Sequence, residues 1–84
     1  MKPTTVIRRQ LATEEVLAGE WRIVRNAKPI GRMYRARSAY GICLEIEICG
    51  RAISAARDIN SALDNAAVHI WRAETAATRK ETPQ

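Results

Sequence analysis

The chain has 84 residues and a net charge of +5, with 14 Lys and Arg against 9 Asp and Glu. A domain this small buries only ~60% of the surface its unfolded chain exposes, so little is left for a deep pocket and most enzyme and cofactor architectures are excluded. A hydrophobic content of 46% supports one core and argues against global disorder, while no stretch approaches the roughly 18 apolar residues of a membrane span.

Residues 1–19 read as a lead-in. Arg8 and Arg9 interrupt the N-terminal MKPTTVIRRQ before the apolar core of a signal peptide forms. A cytoplasmic protein without a membrane partner is therefore expected. Thr13-Glu14-Glu15-Val16-Leu17-Ala18, closed by Gly19, carries the N-cap, acidic first turn and terminal glycine of a two-turn helix. Thr4 to Arg8 is the alternative site for structure here, as a short extended piece.

A β-β-β-α domain is expected over residues 20–76. Trp21-Arg22-Ile23-Val24-Arg25 is rich in β-formers, and Asn26-Ala27-Lys28-Pro29 is turn material. Ile30 to Arg35 reads as a second strand. Ile42-Cys43-Leu44-Glu45-Ile46-Glu47-Ile48 alternates strictly, with four aliphatics on one face, and Gly50 ends it. Asp58 is an N-cap for an amphipathic helix over about five turns, near 58–76 by the 3.6-residue period. Its buried stripe is Ile59, Ala62, Leu63, Ala66, Ala67, Ile70 and Ala73. Ser54 is an alternative start. Residues 77–84 are expected to form a disordered tail.

The expected fold class is α+β: a three-stranded antiparallel sheet with one C-terminal helix packed on one face. A two- or four-residue hairpin loop puts Trp21, Ile23, Ile30, Arg32 and Tyr34 on the helix side. Arg22, Val24, Gly31, Met33 and Arg35 then face outward, with Arg32 the misfit on the inner side. Trp21 and Tyr34 read as core anchors, with base stacking the competing role. Trp71 is placed to cap the open end of the core.

Between Arg22 and Arg37 lie six basic residues and no acid. Such a surface displaces counterions from a phosphate backbone. The candidate nucleic-acid-binding residues are Arg22, Arg25, Lys28, Arg35 and Arg37. Arg25, Lys28 and Arg37 would contact phosphates, and Arg22 and Arg35 base edges. The competing reading pairs Arg22 and Arg35 with Glu45 and Glu47 across strands.

Catalysis and cofactors are not expected. His69 is the single histidine and has no Cys or His at metal-ligand spacing. Ser38, Ser54 and Ser61 lack a base partner. Cys43 and Cys49 lie ~20 Å apart on one strand, too far for a disulfide, and are expected as free thiols.

The run from Trp21 to Arg35, with its W-x-I-V and PIGRMY segments, resembles small uncharacterised proteobacterial proteins. In these a Trp-led strand, a turn and an IGR-aromatic strand precede a third strand and one helix. The likeness spans residues 20–73 and implies a fold rather than an activity. Ala27 stands where such hairpins carry glycine. The strand order also resembles the arm-binding domains of phage-type integrases, which place a sheet in the DNA major groove. The functional expectation is a small, non-enzymatic basic binding module with DNA as its partner. The alternatives are a phage or bacterial inhibitor docking on a larger protein complex, as anti-CRISPR proteins do, and a self-associating protein whose edge strand 42–48 pairs with its copy, making monomer and homodimer both open.

Overall fold

The structure, a computed structural model, describes residues 2–39 and 41–81. Its elements run α1 (Pro3–Gln10), β1 (Leu11–Leu17), β2 (Glu20–Arg25), β3 (Lys28–Ser38), β4 (Gly41–Ile48), β5 (Arg51–Ala56) and α2 (Ile59–Glu81). The strands form one antiparallel meander in the order β1-β2-β3-β4-β5. Both helices pack on one face of it and touch each other. The α+β class and the C-terminal helix on an antiparallel sheet agree with the sequence reading, but the sheet has five strands rather than three.

The two added strands have separate causes. Residues Thr13–Ala18, read as a helix, are mostly strand β1. A two-turn helix is marginal alone, and Ala18-Gly19, with Gly19 at φ +78°, instead returns the chain as a hairpin onto β2. Residues 51–56 hold a single strong β-former, Ile53. The Cys49-Gly50 turn (φ 52° and 79°) nevertheless lays Arg51–Ala56 back along β4, because neighbours rather than intrinsic preference decide strand formation. α2 begins where expected: the Asp58 carboxylate accepts a hydrogen bond from the Ser61 N–H at 2.7 Å. It then continues to Glu81, so the expected tail begins inside the helix, and residues 82–84 lie outside the described residues.

Register corrects the face assignment on β3. Asn26 and Ala27 form the tight two-residue loop, with Arg25 opposite Lys28 and Val24 opposite Pro29. Ile23 is then opposite Gly31, not Ile30. Ile30 is an extra residue, a β-bulge, and one extra residue sends every later side chain to the other face. The helix side therefore carries Trp21, Ile23, Gly31, Met33 and Arg35. The open side carries Arg22, Arg32 and Tyr34. Arg32, the misfit of the sequence reading, is where a charged side chain is stable, and Met33 takes the core position.

The core joins Ile7, Leu11, Trp21, Ile23, Met33, Leu44, Ile46 and Ile48 to the α2 stripe Ala62, Leu63, Ala66, Ala67 and Ile70. Ile23, Met33, Ile46 and Ile48 are its largest fully buried side chains. The alanines bring the helix close to the sheet. Trp21 is a core anchor as expected. Tyr34 lies half-buried on the open face, and Trp71 is exposed rather than capping the core.

Asn26 and Ala27 both adopt positive φ, 51° and 68°, as a two-residue hairpin of the primed type requires. Asparagine tolerates this region, whereas alanine's Cβ is strained there. Ala27→Gly is expected to raise stability by ~0.5–1 kcal/mol after its greater unfolded-state entropy is subtracted. Urea unfolding measures this, and an unchanged or lower midpoint contradicts the turn geometry.

Candidate functional site

The open face of the sheet is not the arginine-rich surface expected from the sequence. By register it carries Glu14, Glu20, Glu45 and Glu47 beside Arg22 and Arg32. Arg22 lies 3.9 Å from Glu14. Arg32 donates to Glu47, reaches Glu20 at 4.0 Å and stands 5.3 Å from the Tyr34 ring centroid. The hydrogen bond to Glu47, then that carboxylate's charge, holds the Arg32 guanidinium above its ordinary pKa. Exposed pairs like these contribute little to stability, because solvent screens them. Their larger consequence is that this face holds four carboxylates against two guanidiniums.

Arg25 is also engaged. On the helix side it donates to Gln10 at 2.7 Å and to Glu74, tying β2 to the end of α1 and to the C-terminal half of α2. Arg8 similarly pairs with Asp64 at 3.0 Å and donates to Asn60 at 3.3 Å, clamping α1 on α2. Lys28 is exposed at the β2–β3 turn, at the opposite end of β3 from Arg35 and Arg37. The five sequence-predicted residues thus do not form one patch. Arg22 is on the open face, Arg25 is a structural tie, and Lys28 stands alone. Arg35 and Arg37 come together on β3.

These two arginines belong to a projecting ribbon. The regular β2 pairing with β3 ends at Glu20 opposite Tyr34, with one further bond from the Arg35 N–H to the Gly19 carbonyl at 2.9 Å. On the other flank, β5 ends at Ala56 opposite Leu44. β3 and β4 stay paired through Ser38 opposite Gly41. Residues 36–38 and 41–43 therefore extend with no strand on either side. The β3 strand has 11 residues and β2 only 6, so the mismatch in length creates the projection.

Arg35 and Arg37 share the helix-side face of this hairpin with Ile42 and Leu44, opposite them in register. Together with Ala18, Gly19, Ala36 and Ile42 they line a notch of about 330 Å³. The Arg35 guanidinium stands 6.0 Å from the Trp21 ring centroid, a cation–π distance that orients it. Among the described residues neither Arg35 nor Arg37 makes a salt bridge. Ile42 and Leu17 at the same end are 64% and 65% exposed. No motif in Arg35–Cys43 marks where the neighbouring strands stop, so the ribbon is missed by sequence reasoning.

Among the described residues no group of three His, Cys, Asp or Glu is arranged to hold a metal ion, and Cys43 and Cys49 are free thiols. No helix among them is long and apolar enough to cross a membrane. No protein-family model, characterised protein or solved structure matches the chain.

The half-buried Tyr34 phenol is held above its ordinary value of 10.0, first by its hydrogen bond to Glu45, then by desolvation and the nearby carboxylate charges. Its contribution to stability is whole below the ordinary value and is lost as pH rises through the raised folded-state value. In a Tyr40→Phe background, absorbance titration should show Tyr34 ionising above 10.0, with Glu45→Gln moving it downward. An unmoved titration contradicts the Glu45 contact.

Proposed function

We propose that the chain is a non-enzymatic basic binding module that contacts nucleic acid through the β3–β4 ribbon rather than through the open sheet face. The observation that carries this reading is the pair Arg35 and Arg37, on a ribbon without flanking strands and without carboxylate partners among the described residues. A two-stranded ribbon fits the major groove of duplex DNA. Arg35 at its base and Arg37 along it suit the phosphates at the groove's edge, where they displace condensed counterions. The expected base-edge role of Arg22 has no support, because Arg22 lies on the other face beside Glu14.

A second reading, a protein-docking module of the inhibitor class, is favoured by the exposed Leu17 and Ile42 at the same end. Self-association through strand 42–48 is not retained. That segment lies within β4, and its residues 44–48 are flanked by β3 on one side and β5 on the other.

Fluorescence anisotropy with a short labelled duplex at ~50 and ~200 mM salt tests the nucleic-acid reading. Binding should weaken with salt, and Arg35→Ala with Arg37→Ala should flatten the log–log slope by about 2, at ~0.9 per phosphate contact. Arg22→Ala should leave it unchanged. Absent binding at low salt, or a slope untouched by the double substitution, overturns the reading. A stoichiometric protein complex abolished by Ile42→Asp, with no duplex binding, establishes the second.

A further inference from the structure

The two edges of the sheet are unlike. β1 carries Glu14 and Glu15, and its register with β2 shifts between Glu15 and Leu17. Charges and bulges are the features that keep an edge strand from pairing with other chains. β5 also carries a bulge, one extra residue between Ile53 and Ala56 in its register with β4, but along Ala52-Ile53-Ser54-Ala55-Ala56 it has neither the charges of β1 nor a proline. Its pairing is with β4 alone, leaving its outer edge open.

Beside that open edge runs a groove. Ala52, Ile53 and Ser54 form one wall, and Asn65, Val68, His69 and Arg72 of α2 form the other, around a volume of about 360 Å³. Val68 interrupts the polar side of the helix and is half-buried here. A second hollow of about 400 Å³ adjoins it at His69 and includes Ile30, Ile48, Ile70 and Arg51. Arg51 and Arg72 thus stand on either side of His69, both exposed and neither in a salt bridge among the described residues. No carboxylate lines the first hollow, and the second has Glu74, which pairs with Arg25.

We propose that the β5 edge and its groove bind an acidic peptide segment in extended conformation, added as a sixth strand. Backbone hydrogen bonds to β5 supply the frame, and alternate side chains enter the groove toward Val68. Carboxylates on the segment meet Arg51 and Arg72. A second copy of the chain fits less well. Two-fold pairing of β5 about Ser54 sets Arg51 against the other copy's Arg57 twice, and two-fold pairing of β1 brings glutamates together; like charges directly opposite destabilise a sheet. This site is separate from the ribbon: it uses neither Arg35 nor Arg37.

The test uses the full chain and labelled eight-residue peptides of alternating valine and glutamate, with lysine for glutamate as the control. Anisotropy should show the acidic peptide binding at least tenfold tighter than the basic one. Arg51→Ala with Arg72→Ala, and separately Val68→Glu, should each weaken it at least tenfold. Arg35→Ala with Arg37→Ala should leave it unchanged. Amide shifts on binding should fall on residues 51–56 and 65–72. Equal binding of both peptides, no binding at millimolar peptide, shifts confined to β1, or an equally charged single-stranded oligonucleotide competing at the same site with equal affinity overturns the proposal.

Discussion

One residue inserted into β3, Ile30, decides where every later side chain of that strand points. The chain leaves a tight Asn26-Ala27 turn in one register and passes Gly31 in the other. Gly31 shows how close the strands come there. A Cβ built on it would lie 2.0 Å from the Glu47 carbonyl oxygen and 3.0 Å from Ile48 Cδ1. A position with no room for a side chain follows directly after the bulge, so the β3–β4 approach and the phase of the strand are linked. Met33 turns into the core between Trp21 and Ile46, while Arg32 and Tyr34 turn out.

The charge distribution follows from that phase. Outward-facing Arg32 falls directly opposite Glu47 and near Glu20, so the open sheet surface is paired and holds an excess of carboxylates. Arg35, two residues beyond Met33, is carried to the helix side, where it stacks over Trp21 rather than joining Glu45 or Glu47. The net positive charge therefore concentrates away from the open face: at the ribbon, through Arg35 and Arg37, and along the β5 side, through Arg51, Arg57 and Arg72. Arg8 and Arg25 serve the fold by holding the helices to each other and to β2. Position in the sheet, more than number of basic residues, separates arginines that stabilise the fold from those open to a ligand.

Much of the helix and β4 was legible in the sequence. The 3.6-residue stripe in α2 and the alternation of Leu44, Ile46 and Ile48 reflect burial on one face, which leaves a periodic trace, and Asp58 marks the helix start by its capping chemistry. β1 and β5 leave no such trace: LATEEVL is largely exposed, and RAISAA contributes mainly Ile53 and Ala56 to the interior. Edge strands need only one partner, so their composition is weakly constrained. The bulge was hidden because Ile30 and Met33 are equally apolar, and only the awkward burial of Arg32 pointed to the opposite phase. Of the candidate site, the types and numbers of basic residues were readable, but their grouping was not. That depends on where β2 and β5 end against a longer β3–β4 pair.

The most direct measurement is a set of side-chain nuclear Overhauser contacts at Met33 and Tyr34 in solution. The bulged register places Met33 in the core between Trp21 and Ile46, with Tyr34 beside Arg32 and Glu45 on the opposite face. Contacts from the Tyr34 ring to Ile23 and Ile46, with Met33 open to solvent, would contradict the inverted phase and return the arginines to the open face.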